Sequence, residues 1–189
     1  PRWLSTAHAA AIAPPGRVPV IDGVTYQSAG RSGAPGATRP LPSPDGARMV
    51  VVAWDPERPA GTPEPKQPPP IVTTRYQFKE DGTGYLTHLR KHLYLVDVGS
   101  GRATQLTQGD TDEMLPAWSP DGRTIAFVSK RGDDPDRSND SNVFVVEARP
   151  GATPRPLTTH PGPDRGPLAW SPDGRTLAYL QGGEPQNSA

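Results

Sequence analysis

Side chains with the charge and reach for chemistry are few in this sequence, and they are scattered. Arg75, Tyr76, Lys79 and Glu80 stand close together in a polar stretch. By themselves they read as a polar surface hairpin. His88 and His92 are four apart. Two imidazoles at that spacing share a helix face, but no Glu follows His88 and the flanking residues read as strand, so no metal pair is expected. Asp133, Asp134, Asp136 and Asp140 make an acidic loop. Counting from Asp134, Asn139 and Val145 stand where a calcium loop needs Gly and Glu, so the expectation is a solvated charged loop. Arg131-Gly132-Asp133 reads as a chance tripeptide in a polar turn. Asp81-Gly82-Thr83-Gly84 is too short to cradle phosphate. Gly30-Arg31-Ser32-Gly33-Ala34 lacks the last Gly of a nucleophile elbow and lies in a Pro/Gly loop. With no Cys in the chain, thiolate nucleophiles, thiolate metal sites and disulfides are excluded. No catalytic, metal-binding or cofactor-binding residue is assigned, and no cofactor is expected.

The elements that must carry these residues are short. The chain has 189 residues with 26 Pro and 20 Gly, a content at the edge of low complexity. Lys plus Arg and Asp plus Glu balance at 20 each, so charge repulsion does not hold the chain open. The absence of net basic charge argues against nucleic acid as a partner. No apolar run of about 18 residues is present, which argues against a membrane-spanning helix. The lack of Cys fits a cytoplasmic setting. The chain starts at Pro1, and the expectation is a fragment or a processed product. Only Ser5 to Ala13 suggests a short helix. The Pro-rich stretch 56–70 reads as an extended connector.

A repeat gives the Pro and Gly a purpose. Trp118-Ser119-Pro120-Asp121-Gly122-Arg123-Thr124-Ile125-Ala126-Phe127 returns as Trp170-Ser171-Pro172-Asp173-Gly174-Arg175-Thr176-Leu177-Ala178-Tyr179. A weaker copy starts at Ser43-Pro44-Asp45-Gly46. The copies continue outside this core: His92 to Asp97 matches Asn142 to Glu147, and Gln105-Leu106-Thr107 matches Pro156-Leu157-Thr158. Ser-Pro-Asp-Gly is a turn, with Pro presetting φ and Gly supplying positive φ at the re-entry to a strand. The strands after each turn are apolar on both alternating faces, which places them between two layers. Four short strands per unit, repeated, predict an all-β fold: a partial β-propeller of four-stranded antiparallel blades. Asp45, Gly46, Trp118, Asp121, Gly122, Trp170, Asp173 and Gly174 mark the repeat. Trp54, Trp118 and Trp170 are expected as blade-packing anchors.

The expected division is a degenerate, poorly ordered blade at 1–40, a blade at 41–107 with insertions, a blade at 108–158, and an incomplete blade at 159–189. A propeller needs about four to eight blades, so the chain reads as part of a longer protein. From Leu41 to Ser43 the repeat is shorter than from Leu157 to Ser171, so an inner strand is either compressed or deleted there.

The Trp-Ser-Pro-Asp-Gly units resemble the WD-like repeats of Tol-type propellers and of the prolyl oligopeptidase family of serine peptidases. Arg75 to Leu86, followed by His92 to Val98, resembles the long blade insertion of the acylaminoacyl-peptidase-like branch, as does Ser129 to Asp136. That resemblance implies a C-terminal α/β-hydrolase domain carrying a Ser-His-Asp triad as partner, absent from this chain. It implies peptide substrates and a lid that filters them by size, with Arg75, Tyr76, Lys79 and Glu80 in gating or domain contact. The chain itself is then inactive and cytoplasmic. The alternative is a Tol-type propeller that only binds protein, in the periplasm.

Overall fold

The computed structural model describes residues 20–21, 24–25, 40–55, 67, 70–80, 84–132 and 134–182. The expected helix at 5–13, the loop at 30–34, most of the 1–40 blade and most of the 56–70 connector lie outside the described residues. Fourteen strands follow in order: β1 Val20–Ile21, β2 Val24–Thr25, β3 Leu41–Pro42, β4 Arg48–Trp54, β5 Lys79–Glu80, β6 Gly84–Tyr85, β7 Lys91–Asp97, β8 Ala103–Gln105, β9 Glu113–Trp118, β10 Thr124–Ser129, β11 Asn142–Glu147, β12 Arg155–Pro156, β13 Asp164–Trp170 and β14 Leu177–Gln181.

Two four-stranded antiparallel sheets form, ordered β3-β4-β7-β8 and β9-β10-β11-β12, and β13-β14 is a two-stranded start of the same pattern. Each sheet runs in chain order from an inner to an outer strand. The architecture is a partial β-propeller. β3 spans two residues where its counterparts β9 and β13 span six and seven, so the shortened step before Ser43 appears as a shortened inner strand.

The turn that opens each unit is built the same way three times. The serine hydroxyl donates to the aspartate two residues on: Ser43 to Asp45 at 2.5 Å, Ser119 to Asp121 and Ser171 to Asp173 at 2.6 Å. The same serine oxygen accepts a backbone N–H from the returning strand, Arg48, Thr124 or Thr176, at 2.9–3.0 Å. These hydroxyl bonds come first among the causes that hold the three aspartates below the usual carboxylate range. Gly46, Gly122 and Gly174 sit at φ 72°, 68° and 69°, the region where a Cβ is costly.

The core lies between sheets. Val50 and Val52 of β4, with Leu93 and Leu95 of β7, meet Ile125 and Phe127 of β10 and Phe144 and Val146 of β11. The alternate residues Met49, Val51 and Ala53 face the other way and are buried too. A strand buried on both faces is what stacking of blades requires. Phe127 and Phe144 stack with ring centroids 5.8 Å apart. Ala126, Val143 and Val145 pack on Trp170, Leu177 and Tyr179 of the next unit. The indoles tie neighbours at the inner strands. Trp118 Nε1 donates to Leu41 O at 3.0 Å and Trp170 Nε1 to Ala117 O at 3.2 Å. Leu41 and Ala117 stand at the same place, two residues before the turn serine.

The strand directions sort the connections. The Ser-Pro-Asp-Gly turns and the turns after β7 and β11 all lie at one end of the blades. The segments 55–90, 106–112, 130–141 and 157–163 lie at the other end. Long connections carry function more often than tight turns, so the loop end is where a site belongs.

Candidate functional site

At the loop end, an arm from the first sheet is pinned to the second. The arm follows β4, runs through residues 70–78 and forms the hairpin β5-β6. Arg75 Nε and Nη2 grip Asp136 at 3.2 and 2.8 Å, and Nη2 also reaches Asp112 at 3.1 Å. Arg90 Nε donates to Asp110 at 2.6 Å, and its Nη1 lies 3.4 Å from both Asp112 and Asp136. Asp112 Oδ1 accepts the backbone N–H of Lys91 at 2.8 Å. The Arg75 side chain is only 7% exposed. A charge so buried stays only where carboxylates compensate it. Burial works against both guanidinium charges, but the facing carboxylates outweigh it and hold Arg75 and Arg90 above their ordinary value. The same contacts, the Arg75 hydrogen bond first, hold Asp136 below the usual carboxylate range.

The expected gating residues therefore separate. Arg75 is buried and anchors the arm through the two aspartates it meets. Tyr76 is 67% exposed, with the Arg137 guanidinium over one ring face at 4.4 Å. Lys79 is exposed on β5. Glu80 Oε2 lies 3.8 Å from Lys91 Nζ. The arm also exposes Ile71, Val72, Phe78 and Tyr85, each more than half. The acidic loop divides likewise: Asp136 is taken up by two arginines, against the expectation of a solvated loop, Asp140 accepts the Gly162 N–H at 2.8 Å, and Asp133 lies outside the described residues. Trp54 leaves the blade-anchor role of Trp118 and Trp170. It lies under Lys91 Nζ, 4.6 Å from the ring centroid, and lines a cleft of about 240 Å³. Leu86, Met114, Arg75 and Asp136 line the same cleft.

Beside this cluster is a buried network outside the sequence expectations. Glu113 begins β9 and is fully buried. Its Oε2 meets His92 Nδ1 at 2.5 Å and accepts from Thr107 Oγ1 at 3.0 Å, while Oε1 accepts from Arg131 Nη2 at 2.6 Å. Asp55 Oδ2 stands 3.4 Å from His92 Nε2. Burial pulls the His92 pKa down, but the hydrogen bond and charge of Glu113 and the charge of Asp55 win, and it is raised. Burial first, then Asp55, push the Tyr94 phenol up. Thr107 also accepts the Leu93 N–H at 2.9 Å. His88, four residues away, is exposed and takes no part. This set is not a nucleophile triad. The hydroxyl bonds the acid instead of the imidazole, and Thr107 is closed to solvent. Its signal was present in the repeat: Thr107 to Glu113 and Thr158 to Asp164 share one spacing, and Thr158 again bonds Asp164.

The comparisons bear on this geometry. No family model matches the chain. It is 34% identical over 86 residues to the uncharacterized peptidase YuxL of Bacillus subtilis, covering 46% of this chain and 12% of that protein. It is 32% identical over 106 residues to the Tol-Pal system protein TolB of Alcanivorax borkumensis, covering 50% of this chain and 21% of that one. Likeness to two relatives of different kinds supports a TolB-like or peptidase-like propeller. The chain spans less than a quarter of either relative. Among solved structures, TolB from Acinetobacter baumannii superposes with a TM-score of 0.47 at 19% identity, over 83% of this chain and 28% of that one. A putative TolB from Agrobacterium tumefaciens gives 0.43 at 20%, over 79% and 44%.

Proposed function

We propose that this chain is the non-catalytic propeller portion of an acylaminoacyl-peptidase-like serine peptidase, with its loop end acting as lid and size filter for peptides. The observation that carries the reading is the arm. It is anchored through buried Arg75 yet presents Tyr76, Phe78 and Tyr85 outward. Exposed aromatic rings are the usual chemistry of a protein contact. In this reading they face a C-terminal α/β-hydrolase domain and the peptides that pass it, and the setting is cytoplasmic. The likeness to the peptidase YuxL supports it.

A second reading has the likeness to TolB behind it: a propeller that only binds protein, in the periplasm, with the same arm as its docking surface. The test uses the full-length protein with Tyr76→Ser and Phe78→Ser. The filter reading expects faster cleavage of long peptides with short ones unchanged. A rate on long peptides unchanged from the parent protein sinks it. Continuing the reading frame beyond Ala189 separates the two readings, since about 250 further residues with a G-x-S-x-G elbow belong to the first alone.

A further inference from the structure

Among the described residues, Arg75 uses Nε and Nη2 on Asp136 and Asp112, while Nη1 is buried and makes no hydrogen bond. A buried N–H without an acceptor is costly and uncommon. The nearby carboxylate oxygens already hold Nε, Nη2 and Arg90. A ligand that brings an acceptor into the cleft would complete the hydrogen bonding of Arg75. Arg75 lines the 240 Å³ cleft with Trp54, Leu86, Met114 and the exposed Gln77.

The charges choose the kind of acceptor. Asp112, Asp136 and Glu80 also line the cleft. Its other cations are engaged: Arg90 with Asp110, Asp112 and Asp136, Lys130 Nζ with Ser138 O at 2.9 Å, and Lys91 over Trp54 and near Glu80. A second anion would meet three carboxylates, whereas a neutral carbonyl oxygen would not. The volume is below the roughly 300–1,000 Å³ of sites that enclose a whole small molecule, and suits one residue of a longer chain. We infer that the cleft is a subsite for one apolar residue of an extended peptide. Arg75 Nη1 donates to a main-chain carbonyl, and the adjoining side chain lies on Trp54, Leu86 and Met114. This deepens the proposed function and rests on its premise that polypeptide reaches the loop end.

The test is a titration of the full-length protein, labelled with 5-fluorotryptophan, with N-acetyl-Leu-Leu amide and with the corresponding free acid. The Trp54 resonance, assigned by its loss in Trp54→Phe, is the readout. The expected result is a saturable shift with amide and acid affinities within about threefold. Arg75→Lys, which keeps a cation for Asp136 but lacks Nη1, should weaken binding about tenfold or more, the usual range for a hydrogen bond to a charged group. Met114→Trp fills the cleft without touching the ion cluster and should abolish the shift even if Arg75→Lys fails to fold. No shift in the wild type, binding unaltered in Met114→Trp or in a folded Arg75→Lys, or a strong preference for the free acid would overturn the inference. If the arm variants alter the size filter while Trp54 never responds, the subsite is refuted and the proposed function stands.

Discussion

The first blade junction and the second solve one problem with different side chains. In both, a threonine just after the outer strand accepts a backbone N–H, from Leu93 or Val143 at 2.9 Å. In both it donates to a buried acid at the start of the next inner strand. At the first junction that acid is Glu113, and its oxygens meet His92, Thr107 and Arg131. At the second it is Asp164, Asn142 stands in place of His92, and Oδ1 is left without a hydrogen bond. His160 Nε2 lies 3.3 Å from that oxygen but bonds Tyr179 OH and is partly exposed. The threonine–acid step ties outer strand to inner strand in either setting. The charges around it decide how firmly. The first junction is a closed ionic network, and the second has slack.

The sharpest way to break this contrast is at the acids. Glu113→Ala strands His92 and Arg131 and should cost about 3–5 kcal/mol, the range for breaking a buried ion pair. Asp164→Ala strands no comparably buried cation and should cost less than half as much. Chemical denaturation of the two variants measures both, and equal losses would erase the distinction. Next come the hydroxyls. Thr107→Val leaves the Leu93 N–H buried and unpaired and should cost about 2 kcal/mol, and Thr158→Val, in a wetter place, about 1 kcal/mol. The indoles should show no contrast: Trp118→Phe and Trp170→Phe each lose one hydrogen bond to an inner-strand carbonyl, about 1 kcal/mol apiece.

The subtlest expectation is a slope. His92 has a raised pKa in the folded chain, so folding binds its proton more tightly. Its contribution is full below the ordinary histidine value of about 6.5 and is lost as pH rises through the higher folded value. His92→Asn copies the second junction. Its deficit in melting temperature against the parent protein should be largest near pH 6 and shrink towards pH 9. A deficit constant across that range would show that His92 acts by packing alone.

The turns were readable in the sequence because everything that makes them is local. Ser43, Asp45 and Gly46 sit within four residues, and their bonds need no other part of the chain. The two-faced strands were readable for the same reason, since alternation reports burial directly. Trp118 and Trp170 were placed by the repeat. The grip of Arg75 on Asp136 was not, because it joins residues 61 apart that share no repeat and meet only when two blades stack. Its burial, and hence the orphaned Nη1, followed from that meeting. The threonine–acid step lay between the two cases. Its spacing stood in the repeat, but only the fold shows that each acid is buried. Trp54 misled because its place at a strand end matches a blade anchor in composition and not in position.

The indole ties also have a direction. Trp118 reaches back to a carbonyl at Leu41, and Trp170 back to one at Ala117. On a ribosome each acceptor is therefore made before its donor, and every new unit finds a finished edge waiting. Shortening the chain from its C-terminal side takes away indoles and leaves only carbonyls without them, the more easily tolerated orphan. Shortening it from the N-terminal side leaves an indole N–H with nothing to hold.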